Sequence, residues 1–380
     1  MNYLQLHEQN KEQSLFGRYI TLQHIEPLLK KYNPEIAGKS VLGKPIYKLQ
    51  IGTGAIKLFM WSQMHGNEST TTKALFDFIY FLHSKTTASE FILKKFTFCF
   101  IPMLNPDGAE AYTRENANGF DLNRDAQNLT QPESIILRKT FEEFKPNYCY
   151  NLHDQRTIFG VDDTGKPATV SFLAPAFNES RDINTTRIQA INVIVAMNNV
   201  LQKFISSQIG RFDDSFNNNC VGDTFQSLDV PTVLFEAGHF PNDYQREETR
   251  KYIFIALLSG IEFLCENDIV INKTNDYLNI PQNKVIFFDF IYKNVKINYD
   301  NKEKIINFAA QYKEVVVNGK VHFEARIAQI ESLDNFFGHV VIDANSELFL
   351  NDESSFPQID QKADFYLGKS NRIVNGLLNN

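Results

Sequence analysis

Apolar residues in the first two-thirds of the chain fall in short, nearly unbroken runs, and the runs are separated by longer stretches with helical spacing. The runs 46–51, 58–64, 96–103, 148–153, 171–174 and 232–237 predict strands covered on both faces, because a strand with one wet face would alternate apolar and polar side chains. Helical spacing predicts helices over 70–83, 132–144, 182–204 and 246–264. The second of these has a marked start. Thr130 can cap it, Pro132 suits the first helical position, and Glu133 lies where the helix dipole favours an anion. Strands alternating with helices predict an α/β fold with a mixed, largely parallel sheet flanked by helices.

From about residue 268 the pattern changes. The stretch 272–283 is polar, holds Pro281 and has no period, so it predicts a linker. Beyond it, 285–291, 315–317, 338–342 and 363–367 predict strands. In 321–327 apolar and polar residues alternate strictly, as in a half-buried antiparallel strand. Asn318-Gly319 between two of these runs is a hairpin signal. The chain therefore divides into a catalytic-size domain over 1–272 and a small β-rich domain over 273–380.

Charge and composition narrow the function. A net charge of −7 gives no electrostatic case for nucleic acid. No apolar run approaches the roughly 20 residues needed to span a bilayer, so no membrane span is expected. The first residues carry Glu8, Lys11 and Glu12 and lack the apolar centre of a secretory signal. The four cysteines lie far apart, two of them in apolar runs, which favours buried thiols and a cytoplasmic protein.

The chemistry gathers at strand ends. His65-Gly66-Asn67-Glu68 places an imidazole and a carboxylate three residues apart where a strand emerges into a loop, and His153 closes another apolar run. Two His and one Glu suit an open catalytic zinc site whose fourth position is left to water. Both histidines fall at C-terminal strand ends, the edge at which open α/β sheets collect their sites. Asp121 either takes the second ring N–H of a ligand histidine or caps a turn. Asn105-Pro106-Asp107-Gly108 predicts a turn at the same edge. The polar loop 113–125 holds Arg114, Asn123 and Arg124, residue types that grip carboxylates and stabilise oxyanions. Glu236 ends a strongly apolar strand. It either lies just beyond the strand in solvent or is a buried general base beside a metal-bound water.

In order along the chain, Gly38–Tyr47, His65-x-x-Glu68, Asn105-Pro106-Asp107-Gly108, Asp121-Leu122-Asn123-Arg124, Leu152-His153 and Phe235-Glu236 resemble the zinc carboxypeptidase family, the carboxypeptidase A-like metallopeptidases. The resemblance covers about residues 15–265. It implies a mixed sheet of about eight strands flanked by helices and one zinc ion on His65, Glu68 and His153. Glu236 would act as general base and then as proton donor, and Arg114 would polarise the scissile carbonyl. Asn123 and Arg124 would hold the terminal carboxylate of a peptide substrate. The family's substrate-closing tyrosine has no counterpart, since 210–222 offers Phe212 and Phe216 instead. Specificity should be set near Val221 or Asp223. Aspartoacylase and succinylglutamate desuccinylase-like zinc deacylases share the zinc motif and the Asp-Leu-Asn-Arg stretch, and a β domain follows their shorter catalytic part. They give a second expectation, hydrolysis of N-acyl amino acids. A third, outside enzymes, is a zinc-holding binding protein without catalysis.

Overall fold

A computed structural model describes residues 2–266, 270–351 and 354–379, and these form two compact units. The first comprises Met1–Gln155 and Ala168–Asn283, and the second Arg156–Pro167 and Lys284–Asn380. The second unit thus takes in residues 156–167, which the sequence pattern assigned to the first domain, and its longer segment begins at Lys284, eleven residues after the boundary expected at 273.

The first unit is built on eight strands: β1 (Glu35–Lys39), β2 (Pro45–Gly52), β3 (Ile56–Ser62), β4 (Phe96–Ile101), β5 (Tyr148–Asp154), β6 (Val170–Leu173), β7 (Ile209–Arg211) and β8 (Thr232–Ala237). Their order across the sheet is β1-β2-β4-β3-β5-β8-β6-β7. The central run β4-β3-β5-β8 is parallel, with antiparallel pairs at β1/β2, β2/β4 and β8/β6. The mixed, largely parallel sheet expected from the apolar runs is therefore present.

Alternate residues of each strand feed two cores. Leu58, Met60, Phe96, Phe98, Phe100, Tyr150, Leu152, Val233 and Phe235 pack with one set of helices: α1 (Thr70–Leu82), α2 (Thr185–Leu201) and α3 (Glu247–Glu266). Phe59, Trp61, Cys99, Ile101 and Cys149 face the other way, onto Ile136, Leu137, Phe141, Val221 and Phe225 of two further helices, Pro132–Phe144 and Val221–Ser227. The period of two along a strand explains why both faces of these runs had to be apolar.

Several local expectations change. Gln131, not Thr130, is the N-terminal flank of helix Pro132–Phe144, because the Asp125 carboxylate takes the N–H groups of both Thr130 and Gln131. Asn105-Pro106-Asp107-Gly108 opens a short helix, Pro106–Ala111, instead of forming a turn, with the Asn105 side chain capping Gly108 N–H at 2.8 Å. The expected linker contains a helix, Thr274–Leu278, whose buried Tyr277 hydroxyl accepts from Ala174 N–H. A single buried aromatic side chain gives no periodic signal in the sequence.

The second unit is all-β, as expected. Its main sheet contains β9 (Phe287–Tyr299), β10 (Lys302–Val317), β11 (Lys320–Ile330) and β12 (Phe337–Asp343), ordered β11-β10-β9-β12. Asn318 and Gly319 take φ of 51° and 70° in the β10–β11 hairpin, where positive φ at both positions matches the strand twist. Tyr292, Phe308, Phe349 and Phe365 fill its core.

Candidate metal centre and active site

β3 ends at Ser62, and Gln63 then turns the chain with φ of 49°. The buried Gln63 amide donates to Ile20 O and Gly66 O, both at 2.8 Å, which fixes the loop carrying His65. Gly66 must be glycine for a steric reason: a Cβ there would lie 1.9 Å from the Gly108 backbone carbon. Asn105 holds the same loop from the other side. Its amide donates to Met64 O at 3.2 Å and to Glu115 O at 3.1 Å, so it links the residue before His65 to the residue after Arg114. Sequence reasoning read this motif as a turn and missed that role.

Glu68 lies just before α1, and His153 is the penultimate residue of β5. Ligand atoms of His65, Glu68 and His153 all lie within 4.8 Å of one another. His65 Nδ1 is 2.8 Å from Glu68 Oε1, His153 Nδ1 is 2.8 Å from Glu68 Oε2, and the two Nδ1 atoms are 3.1 Å apart. Zinc bonds of about 2.0–2.1 Å set neighbouring donors of a tetrahedral site about 3.3 Å apart, close to these edges. The proton inventory points the same way. His65 Nε2 is 3.0 Å from Asp121 Oδ1. With its proton on that nitrogen, His65 turns a lone pair on Nδ1 toward another acceptor, Glu68. A cation at that point removes the conflict, so the residues present fit a zinc ion.

Asp121 fills both roles left open for it. It orients His65 and also caps the turn Leu122–Arg124 by accepting Asn123 N–H at 2.8 Å. Burial is the largest single influence and works against its charge, but His65, Arg114 and the Asn123 N–H together outweigh it and hold the carboxyl well below the usual range. Burial likewise opposes the charge of Glu68. The adjacent imidazoles prevail and keep it ionised. Burial holds His153 toward its neutral form, which is the form that ligates a metal.

Glu236 is buried inside β8 and does not reach solvent beyond the strand. It is paired in register with His153 across β5/β8, on the face turned away from the Phe235 core. Its Oε2 has no hydrogen-bond partner among the described residues. Burial, followed by the Glu68 and Asp154 carboxylates, pushes its pKa well above the ordinary value. Arg114 is half-exposed. It donates from Nη1 to Glu68 Oε1 at 3.3 Å and from Nε to Asp121 Oδ2 at 3.1 Å, so its guanidinium borders the candidate ligands.

Asn123 and Arg124 sit together one turn away. Asn123 Oδ1 accepts Val221 N–H at 2.9 Å, and exposed Arg124 donates to Asn123 O and approaches Cys220 Sγ at 3.1 Å. Of the two specificity candidates, Val221 packs into the core with Trp61 and Phe225. Asp223 accepts Asn217 N–H at 2.9 Å, and burial raises its pKa to about 7. Sequence reasoning also missed Asp154. Its carboxylate accepts Thr70 N–H at 2.8 Å and Thr71 N–H at 3.2 Å, capping the helix that begins beside Glu68. Its position next to His153 was the only available signal.

Fold and site together define an α/β protein with a His-Glu-His candidate metal centre at the C-terminal edge of a mixed sheet. Residues 27–156, about a third of the chain, match the zinc carboxypeptidase family model. Carboxypeptidase 2 of Trichophyton tonsurans is 28% identical over 120 residues, which cover 31% of this chain and 21% of the fungal protein. Carboxypeptidase SOL1 of Arabidopsis thaliana is 26% identical over 201 residues, covering 43% of this chain and 41% of the plant protein. The match thus spans about a fifth to two-fifths of these curated relatives. Among solved structures, a metallo-carboxypeptidase from Pseudomonas aeruginosa in complex with (2-guanidinoethylmercapto)succinic acid superposes with a TM-score of 0.51 at 16% identity, covering 64% of this chain and 68% of that one. A protein described as a carboxypeptidase A from Shewanella denitrificans OS-217 gives 0.53 at 17% identity, covering 65% and 70%. These likenesses establish the fold. No helix among the described residues is long and apolar enough to cross a membrane.

Proposed function

We propose that the protein is a zinc-dependent metallocarboxypeptidase that hydrolyses an amide bond near the C-terminus of a peptide. The observation that carries this reading is the convergence of His65, Glu68 and His153 on one point, with Glu236 in register beside His153. Carboxypeptidases among the curated relatives favour a peptide over an N-acyl amino acid as substrate.

Zinc held by His65, Glu68 and His153 would supply Lewis acidity and lower the pKa of a bound water to about 7. The chain's own residues do the rest. Arg124 and Asn123 bind the substrate's terminal carboxylate, with the arginine fork matching its two oxygens. Arg114 donates to the scissile carbonyl oxygen as negative charge develops there. Glu236 accepts a proton from the attacking water and delivers it to the departing amine, so one C–O bond forms as the C–N bond breaks. Glu236 must be ionised to begin. Its raised pKa reflects burial beside two carboxylates, a repulsion that would be offset with a divalent cation held on Glu68.

The test is a panel of short peptides and N-acyl amino acids, run with and without a chelator. C-terminal residues should be released from peptides, and the chelator should abolish release. Turnover of N-acyl amino acids with peptides untouched would replace this reading with the deacylase. Tight peptide binding without turnover in the zinc-loaded protein would replace it with the binding protein.

A further inference from the structure

The chain passes between its two units after Gln155, before Ala168 and after Asn283. These three residues of the first unit are joined to one another. Gln155 Nε2 donates to Ala168 O at 2.7 Å and to Ser171 Oγ at 3.0 Å. Ser171 Oγ donates to Asn283 Oδ1 at 2.9 Å, and Asn283 Nδ2 returns to Gln155 Oε1 at 2.7 Å. The result is a closed ring of two amides and a hydroxyl. Gln155 is 5% exposed and Ser171 is fully buried. Two glycines make room for the ring. A Cβ on Gly210 would lie 1.8 Å from Asn283 Oδ1, and one on Gly238 would lie 1.9 Å from Ala168 O and 2.5 Å from Gln155 Nε2.

The ring abuts the strands that carry the chemistry. Gln155 follows His153 by two residues, and its N–H donates to Ala237 O at 2.9 Å, next to Glu236. Ser171 is the cross-strand partner of Glu236 on β6/β8. Opposite residues of an antiparallel pair project to the same face with Cβ atoms about 4.5–5.5 Å apart, so Ser171 flanks the Glu236 side chain. Buried Arg246 fastens the same two strand ends, donating to Ala237 O at 2.8 Å and to Gln155 O at 3.0 Å. With Gln155 and Ser171 buried and Asn283 half-buried, the ring favours one geometry, because opening it strands the Gln155 and Ser171 polar groups away from water.

We propose that Gln155 is a positioning residue. Through its ring with Ser171 and Asn283 it locks the joints of the chain to the ends of β5 and β8 and so fixes His153 and Glu236 relative to each other. Its role in the reaction rests on the carboxypeptidase reading, but the locking itself does not.

The test uses the full-length protein and the Gln155→Ala and Asn283→Ala variants. In metal-free protein, amide hydrogen exchange in 150–155 and 234–239 should become about tenfold faster in Gln155→Ala. Unchanged exchange overturns the inference whether or not the protein binds metal. In cobalt(II)-loaded protein, Gln155→Ala should shift the visible absorption spectrum and lower kcat about tenfold with KM within about twofold, because the ligand and base are displaced while the carboxylate-binding residues are not. Asn283→Ala should do the same, and the double variant should be no worse than the worse single variant, since both open one ring. A wild-type spectrum and kcat in a folded Gln155→Ala protein overturn the inference. If Gln155→Ala does not fold, Ser171→Ala opens the ring by loss of one hydroxyl and is read in the same way. Failure of wild-type protein to take up cobalt(II) or cleave peptides would refute the carboxypeptidase reading, and the exchange result alone would then decide the locking.

Discussion

His153 and Glu236 stand opposite each other in register on the neighbouring parallel strands β5 and β8. The backbone ladder therefore sets the spacing of one candidate ligand and the candidate base, whereas His65, Glu68 and Arg114 reach the same point from loops. Strands hold position better than loops do, so the candidate base and its adjacent candidate ligand form the rigid half of the site.

Glu236→Gln should keep the metal and lose the reaction. Replacing a general base typically costs about 10²–10⁴-fold in kcat. Metal content measured beside peptide turnover checks both halves. The substitution also has a pH signature in metal-free protein. A carboxyl whose folded pKa is raised keeps its proton where the unfolded chain has released it, so it lowers stability as pH rises above the unfolded value of 4.5. Urea unfolding of the Gln variant should lack that loss.

Arg114 and Arg124 should separate kinetically. In the proposed reaction Arg114 donates mainly in the transition state, so Arg114→Ala should lower kcat by about 10²–10³-fold with KM nearly unchanged. Arg124→Ala would remove the charged grip on the substrate that the proposed reaction assigns to it. It should raise KM by about 10–100-fold, as expected for a hydrogen bond to a charged group. Steady-state kinetics on one peptide, with both variants at full metal occupancy, distinguishes them.

Gly66→Ala should damage the metal centre without touching a ligand. The added carbon would lie 1.9 Å from the Gly108 backbone, so the His65 loop or the helix Pro106–Ala111 must move. Overpacking of this kind costs about 1–3 kcal/mol, or more where backbone is struck. Weaker metal binding in a chelator competition, together with a lowered urea midpoint, is the expected result.

Lys73 gives a prediction far from the chemistry. It is fully buried on α1 and pairs with Glu247 at 2.5 Å. Burial lowers the Lys73 pKa to about 8, while Glu247 is held at about 2, where burial opposes its charge but Lys73, Lys11 and Arg250 together prevail. These shifts act oppositely at neutral pH, since burying the lysine charge costs about what the glutamate gains from its three cations, Lys73, Lys11 and Arg250. A near-zero net contribution is the better account of a buried ion pair. Glu247 keeps Lys11 at 2.8 Å and Arg250 at 3.1 Å, so Lys73→Met strands no buried charge and should leave stability at pH 7 within about 1 kcal/mol. Wild-type stability should rise between pH 8 and 10.5, where the unfolded chain still binds the Lys73 proton and the folded one has released it. The variant should lose that rise in urea unfolding measured across this range.

The sequence by itself determined the layered α/β core, because burial on both faces forces continuous apolar runs such as Leu58–Trp61 and that requirement is local. It also determined the hairpin at Asn318-Gly319, where two residues suffice to set the turn, and the short list of polar groups able to serve a site. Tertiary structure decided what those groups do. Asp121 both orients His65 and caps a turn, Glu236 lies within β8 and not beyond it, and Asn105 braces two loops instead of making a turn. Residues 156–167 belong with the C-terminal unit, and Tyr277 makes a helix of an expected linker. Each of these depends on partners distant along the chain: Asp121 is 56 residues from His65, and Gln155 is 128 from Asn283. Periodicity reports only on neighbours in sequence, whereas burial, proton placement and convergence on a single point arise only when the sheet has brought those partners together.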